Sequence, residues 1–317
     1  MTVLETGGAP KLYSVYGSCL GTSVEFPELR AIPSGAARWT FRVTAAHSPM
    51  VDRNELGAEL IYGDVHARLF RHADGYRVTV DDTGAFEIAN DGRDISWENR
   101  EGAWPDFVRA HLIGRVLATA LFFEGWLPLH GSAVAFRSGV AAFLAPKGFG
   151  KSTLALALTA AGAKLVTDDT LPVELTQPPC AWPGVHAVRV RPDAAEAIGL
   201  PGGGAMTREG KTLVTDLPMA QLSHERAPLS ALYFLDPVDP AKVNEPVTRV
   251  RLPETLAALS VVSHVKIARM LGASSAPTLL DRAATIVRAI PAYQLSVPRD
   301  LAGLRAVAAR ITEWHSA

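Results

Sequence analysis

Four side chains in this sequence have types and spacing that could do chemistry together: Lys151, Ser152, Asp168 and Asp169. The first two close the segment Ala145-Pro146-Lys147-Gly148-Phe149-Gly150-Lys151-Ser152-Thr153, which has the form of a phosphate-binding loop. The usual pattern is G-x-x-x-x-G-K-[ST], and Ala145 stands at its first glycine. Backbone N–H groups of such a loop, and of the helix it opens, point at phosphate oxygens. Gly148 and Gly150 supply the permissive backbone this needs. Lys151 would offer its ammonium to the outer phosphates, and the Ser152 hydroxyl would meet Mg²⁺. The expected cofactors are therefore ATP and Mg²⁺.

Such a loop works only between a strand and a helix. Val140-Ala141-Ala142-Phe143-Leu144 is a short apolar strand candidate, and 151–161 reads as a helix stopped by Gly162. That helix climbs about 16 Å, at 1.5 Å per residue. The chain then returns as a strand over 163–167, expected parallel to the first in a βαβ unit. Its end brings Asp168 and Asp169 to the edge where open α/β sheets bind ligands. One carboxylate could take a proton from an attacking hydroxyl and the other could hold Mg²⁺. Successive strand residues face opposite ways, so the two are expected to differ in role.

Three further positions belong to the same reading. A hairpin turning at Arg137-Ser138-Gly139 pairs residues whose numbers sum to about 275, which sets His130 opposite Ala145. There its imidazole could bond an aspartate or a phosphate oxygen. Lys211 follows Gly202-Gly203-Gly204 and could close over phosphates from a moving loop. Arg189 and Arg191 are the alternative cations, expected to share one face of a strand.

The surrounding elements divide in two. Residues 1–104 read as a β-rich domain of short strands such as "KLYSVYGSCL", "AELIYGDVHARLF" and "GYRVTVDD", with turns at 73–75 and 82–84. A helical period takes over at 105–125, and the boundary is set near 104. Residues 105–317 then read as α/β. Beyond the loop region, strand 170–175 precedes a loop-rich stretch over 176–218 and a buried strand at 229–237. Helices follow at 253–271, 277–289 and 300–315, with a strand at 292–297.

Composition narrows the function. The 317 residues are 48% hydrophobic and 20% charged with a formal net charge of -1, which points away from nucleic acid and polybasic membrane binding. Cys19 and Cys180 form no metal spacing and read as reduced thiols. There is no basic-then-apolar leader, and "VLATALFFEGWLPL" is too short to span a bilayer. A cytoplasmic protein is the expectation, and a homo-oligomer stays open.

The run "LHGSAVAF…APKGFGKSTLALALTAAGAKLVTDDT" resembles the catalytic domain of the bacterial HPr kinase/phosphorylase family, over about residues 127–175. That family has His-Gly before the loop, G-x-x-G-x-G-K-S in it, and L-V-x-D-D after it. The resemblance implies an α/β kinase domain, preceded here by a smaller β-rich one. It implies Gly148, Gly150, Lys151 and Ser152 on nucleotide and Mg²⁺, Asp168 as the base for an acceptor serine, and Asp169 near His130 and the metal. The family's E-[IV]-R-G-[LI]-G segment is absent, and "PPCAWPGVHAVRVRP" stands in its place. The opening "LYSVYG…TSVEFPEL" resembles a divergent group found with peptide-maturation systems, among them kinases of the C-terminal serine of lasso-peptide precursors. The implied partner is a peptide or small protein with an acceptor serine. The alternatives are a carrier-protein serine kinase of the HPr type and a non-catalytic ATP sensor.

Overall fold

The computed structural model describes residues 6–45, 54–199, 205–206, 210–242 and 245–316. The chain forms two compact units, Met1–Pro128 with Lys266–Leu279, and Leu129–Val265 with Leu280–Ala317.

The first unit is built on one sheet of nine strands among the described residues. Arg30–Ile32, Thr6–Val15 and Ser18–Val24 lead to Trp39–Thr44 and Asp94–Glu98, and the hairpins of Gly84–Ala89, Gly75–Val80, Val65–His72 and Asn54–Tyr62 complete it. Two stretches expected as single strands are hairpins. Tyr16-Gly17 reverses "KLYSVYGSCL" with both residues at positive φ, 51° and 66°, the geometry that suits a tight two-residue turn. The Gly63-Asp64 turn splits "AELIYGDVHARLF" in the same way. The turns expected at 73–75 and 82–84 are present, pairing His72 with Gly75 and Val80 with Gly84.

The helical stretch starts at Pro105 as expected and runs to Phe123 through a π segment, Leu112–Val116. Its contacts put it in the first unit, not with the residues after it, so the division falls at Pro128 and not near 104. Phe123 stacks on Tyr76 at 3.7 Å, the Tyr16 hydroxyl donates to the Ile113 carbonyl, and Arg109 grips both oxygens of Glu28. These aromatic and charge-assisted contacts tie the helix to the strands of the first unit.

The segment Ala268–Leu271 also belongs here, lying against the edge strand Asn54–Tyr62. A Cβ on Gly57 would come within 2.7 Å of the Arg269 carbonyl oxygen, and one on Gly272 within 1.8 Å of the Leu56 oxygen. Gly272 also has φ 68°, so both the space and the backbone there require glycine.

The second unit holds the loop of interest. Its main sheet runs through neighbours Lys164–Thr167, Leu127–Phe136, Gly139–Leu144, Ala227–Val238, Ala292–Pro298 and Thr248–Arg251. Gly139–Leu144, Ala227–Val238 and Ala292–Pro298 are mutually parallel, and the apolar run 140–144 and the middle of Ala227–Val238, residues 231–235, are buried, as parallel strands favour. The hairpin register is the expected one, since Gly131 pairs Leu144 and each pair sums to 275. Strand Lys164–Thr167 does run in the same direction as Gly139–Leu144, because each is antiparallel to Leu127–Phe136. It is not the neighbour of that strand, since Leu127–Phe136 lies between them.

Other differences are local. The stretch 176–218 carries a small sheet of Val188–Val190, Thr212–Val214 and Ala205–Met206, too short to signal itself by alternation. The long helix expected over 253–271 stops at Ser263. There the backbone turns to pair with the strand Leu127–Phe136, through the bridge Leu129 to Val265. The last helix, Leu304–Trp314, ends at His315. Arg249 donates to the Tyr233 hydroxyl at 2.9 Å, and that hydroxyl shares a hydrogen bond with His315 Nε2 at 2.9 Å.

Candidate functional site

The loop sits where the expectation put it, between the strand Gly139–Leu144 and the helix Lys151–Ala160. Ala145 is buried at the strand's end, while Pro146, Lys147 and Gly148 are exposed. Gly148 and Gly150 take φ of 90° and 88°, and a Cβ on either would meet nothing within 4 Å. The loop thus bends with left-handed backbone at two points and keeps open space beside both. Leu154 N–H closes the first helical turn onto the Gly150 carbonyl at 2.9 Å. The preceding amides of that turn have no such partner within a helix, the usual source of an anion site.

Lys151 is buried, and its ammonium donates to the carbonyls of Ala145 at 2.7 Å and Pro146 at 3.2 Å. The Ser152 hydroxyl donates to the Asp168 carboxylate, 2.9 Å from Oδ1 and 3.0 Å from Oδ2. Ser132 donates to Oδ1 of the same carboxylate. Asp168 is buried, and that burial raises its pKa against the bonds from Ser132, Ser152 and the Arg189 backbone N–H.

Asp169 follows in the same turn, outside either strand, and its side chain is partly exposed. It adopts φ 81°, an uncommon conformation for a residue with a side chain. Its carbonyl accepts from His130 Nδ1 at 3.0 Å and from Gly131 N–H at 3.3 Å, and its Oδ1 lies 3.4 Å from the same His130 nitrogen. His130 and Ser132 stand two residues apart on one strand. The one attends Asp169 and the other Asp168.

The turn that holds the pair is tightly made. Thr167 is fully buried and donates to the Thr170 carbonyl at 2.7 Å. Gly184 bonds the Val166 carbonyl at 2.9 Å and presses on this turn, where a Cβ would lie 1.8 Å from Thr167 Oγ1.

Ser152 and Asp169 were the residues expected to share a cation. Ser152 donates to Asp168, and Asp169 lies beside His130, the neighbour the resemblance gives it. Arg189 reaches Asp168 through its backbone, not through its guanidinium. Arg191 lies beyond the strand Val188–Val190 and pairs with Asp193 at 3.1 Å, so the two arginines do not share a strand face. Lys211 adjoins the strand Thr212–Val214, and the glycines at 202–204 expected to mobilise it lie outside the described residues. Thr153 begins the helix beside Ser152 and is partly buried.

Sequence reasoning missed three residues here. Ser132 signals itself only by sharing a strand face with His130. His264 was read as ordinary, yet its carbonyl accepts the His130 N–H at 2.6 Å and its Nδ1 donates to the Ser260 carbonyl at 2.7 Å. Burial lowers its pKa, and the nearby Lys151 and His130 push in the same direction. Arg299 follows the strand Ala292–Pro298 and places its guanidinium 5.8 Å over the Phe149 ring of the loop. No sequence pattern ties either position to the loop.

The residues present fit a nucleotide phosphate chain with a divalent cation. Two left-handed glycines leave the loop open, an ammonium lies at its floor, and a hydroxyl and a carboxylate meet at its helix end. Among the described residues no three His, Cys, Asp or Glu side chains gather into a metal site of their own, so a cation here would share its ligands with phosphate oxygens. No helix among the described residues is long and apolar enough to cross a membrane.

No known protein family matches the chain, and no curated protein matches it. Among solved structures, the Hpr(Ser) kinase/phosphatase from Coxiella burnetii aligns with a TM-score of 0.31 and 15% identity, over 59% of this chain and 96% of that one.

Proposed function

We propose that this chain is an ATP-dependent kinase that phosphorylates a serine hydroxyl of a peptide or small protein. The observation that carries this reading is the meeting of Ser152 with a buried carboxylate, Asp168, at the mouth of a phosphate-binding loop. A buried carboxylate there can take a hydroxyl proton as well as serve the cation. The motif resemblance to HPr kinase/phosphorylase supports phosphotransfer, and the resemblance of the N-terminal opening favours the C-terminal serine of a lasso-peptide precursor as acceptor.

The roles follow from the geometry. The loop amides from Gly148 to Ser152 would bind phosphate oxygens. Lys151 would leave the Ala145 and Pro146 carbonyls for the outer phosphates, and Ser152 would turn from Asp168 to the cation. Bound there, ATP supplies the phosphoryl group and Mg²⁺ offsets its charge. Asp168 takes the acceptor's proton, its burial raising its affinity for it. His130 holds the Asp169 backbone, fixing the turn that aims Asp168. The positive φ of Asp169 is the kind of local strain that tertiary contacts maintain at working sites.

The test is direct. The purified protein is mixed with ATP, Mg²⁺ and the short precursor peptide encoded nearest its gene, or with a small carrier protein, and the acceptor's mass is recorded. A gain of one phosphate on serine is expected. ATP binding without transfer to any hydroxyl acceptor would make the chain a nucleotide sensor instead.

A further inference from the structure

Asp168 holds more hydroxyl donors than a general base needs, and they are unequally shared. Ser152 reaches both carboxylate oxygens, whereas Ser132 donates only to Oδ1. The two serines also differ in freedom. Ser152 is partly exposed at the start of the loop's helix. Ser132 is fully buried in mid-strand, bound between Gly139–Leu144 on one side and Lys164–Thr167 on the other. Its register places it opposite Phe143, and the next residue, Ala133, pairs with Thr167 immediately before Asp168. Ser132 therefore cannot follow a moving loop, and Ser152 can.

We propose that Ser132 is a positioning residue: it fixes Oδ1 of Asp168 so that Oδ2 is the oxygen presented to the acceptor once Ser152 leaves. This rests on the kinase reading above. The proton then passes from the acceptor hydroxyl to Oδ2 as the hydroxyl oxygen bonds the transferring phosphorus and the bond from that phosphorus to ADP breaks. Without Ser132, the carboxylate is free to rotate when Ser152 turns away, and the near-attack arrangement is lost in a fraction of bound complexes. Gly131 keeps Ser132 in place, since a Cβ there would fall 2.5 Å from the Leu144 side chain.

Ser132→Ala removes one oxygen from a packed strand and adds nothing. With the phosphorylated acceptor followed by mass, kcat is expected to fall about 10- to 100-fold, with KM for ATP and the affinity for ADP–Mg²⁺ unchanged within about twofold. A merely structural role would instead move nucleotide affinity and turnover together, and that result overturns the proposal, as does an unchanged kcat. A second readout does not depend on transfer. In protein labelled with ¹³C at aspartate carboxyls, the Asp168 infrared band is assigned by its loss in Asp168→Asn. That band is expected to move in Ser132→Ala with ADP–Mg²⁺ bound. A band that stays put overturns the role of Ser132 even if the kinase reading stands. A band that moves in a protein without transferase activity sinks the kinase reading and keeps the contact.

Discussion

The Ser152 hydroxyl sits 2.9 and 3.0 Å from the two oxygens of Asp168, joining the end of the glycine-rich loop to a carboxylate sixteen residues later. That contact spans one helix and one strand of the second unit. It makes the loop and the Asp pair parts of one site.

Asp168→Asn keeps the shape of the side chain and one acceptor oxygen but cannot take a proton. Nucleotide binding is expected to persist while transfer falls by at least about 100-fold. Asp169→Asn, which leaves the backbone contacts with His130 in place, is expected to lose less. Titration calorimetry with ADP–Mg²⁺ and acceptor mass spectrometry read the two effects separately. Retained transfer by the Asp168→Asn protein would refute its assignment as base.

Lys151→Ala removes the buried ammonium beneath the loop. A hydrogen bond to a charged group contributes about 1.5–3 kcal/mol, so nucleotide affinity is expected to drop about 10- to 100-fold or more. Removing the ammonium frees the carbonyls of Ala145 and Pro146, and the unfolding midpoint is expected to fall modestly. A large loss of stability with binding intact would reverse this reading.

Gly184→Ala tests the turn that aims the carboxylates. The added methyl would meet Thr167 Oγ1 at 1.8 Å and the Thr170 carbonyl at 2.8 Å, neither at the end of a flexible chain. The expected cost is about 1–3 kcal/mol by overpacking, with turnover falling as the Asp pair is displaced. Urea unfolding and acceptor phosphorylation check both, and wild-type values in each would show that the turn yields freely.

His315 predicts a pH dependence. Burial, with Arg249 nearby, lowers its pKa from 6.5 to about 4. The unfolded chain therefore takes up this proton near pH 6.5, while the folded protein refuses it until about 4. The stability from neutral His315 is present above pH 6.5 and is lost as the pH falls through that window. His315→Gln is expected to flatten the slope of unfolding free energy between pH 6.5 and 4, measured by urea titration at each pH. An unchanged slope would mean that His315 is not the titrating group.

Much of the site was legible because it is local. The apolar strand, the glycines, Lys151, Ser152 and the aspartates lie within thirty residues, and the hairpin sum of 275 holds as far as Gly131 and Leu144, next to His130. What could not be read depends on long-range pairing. The break at His264 follows from a bridge to Leu129, far earlier in the chain, and overrides a helical pattern that continues through it. The division of labour between Asp168 and Asp169 was expected from alternation. Which one faces Ser152 was not, because a strand's period gives two faces without saying which is which. The Gly63-Asp64 turn carries a legible Gly-Asp signal, whereas Tyr16-Gly17 turns on a tyrosine at positive φ that no polar residue announces.

The glycine contact of the first unit bears on how the protein is made. Gly57 and Gly272 bring two backbones together along the outermost strand, yet they lie more than two hundred positions apart. As the chain leaves the ribosome, the nine strands can pair long before residue 272 is synthesised. Until then the outermost strand, Asn54–Tyr62, lacks the segment that later packs on it at Gly57. Such an edge is a template for pairing with other chains. The early sheet therefore waits on the late sequence for its seal, and truncation before residue 268 would leave a product prone to aggregate.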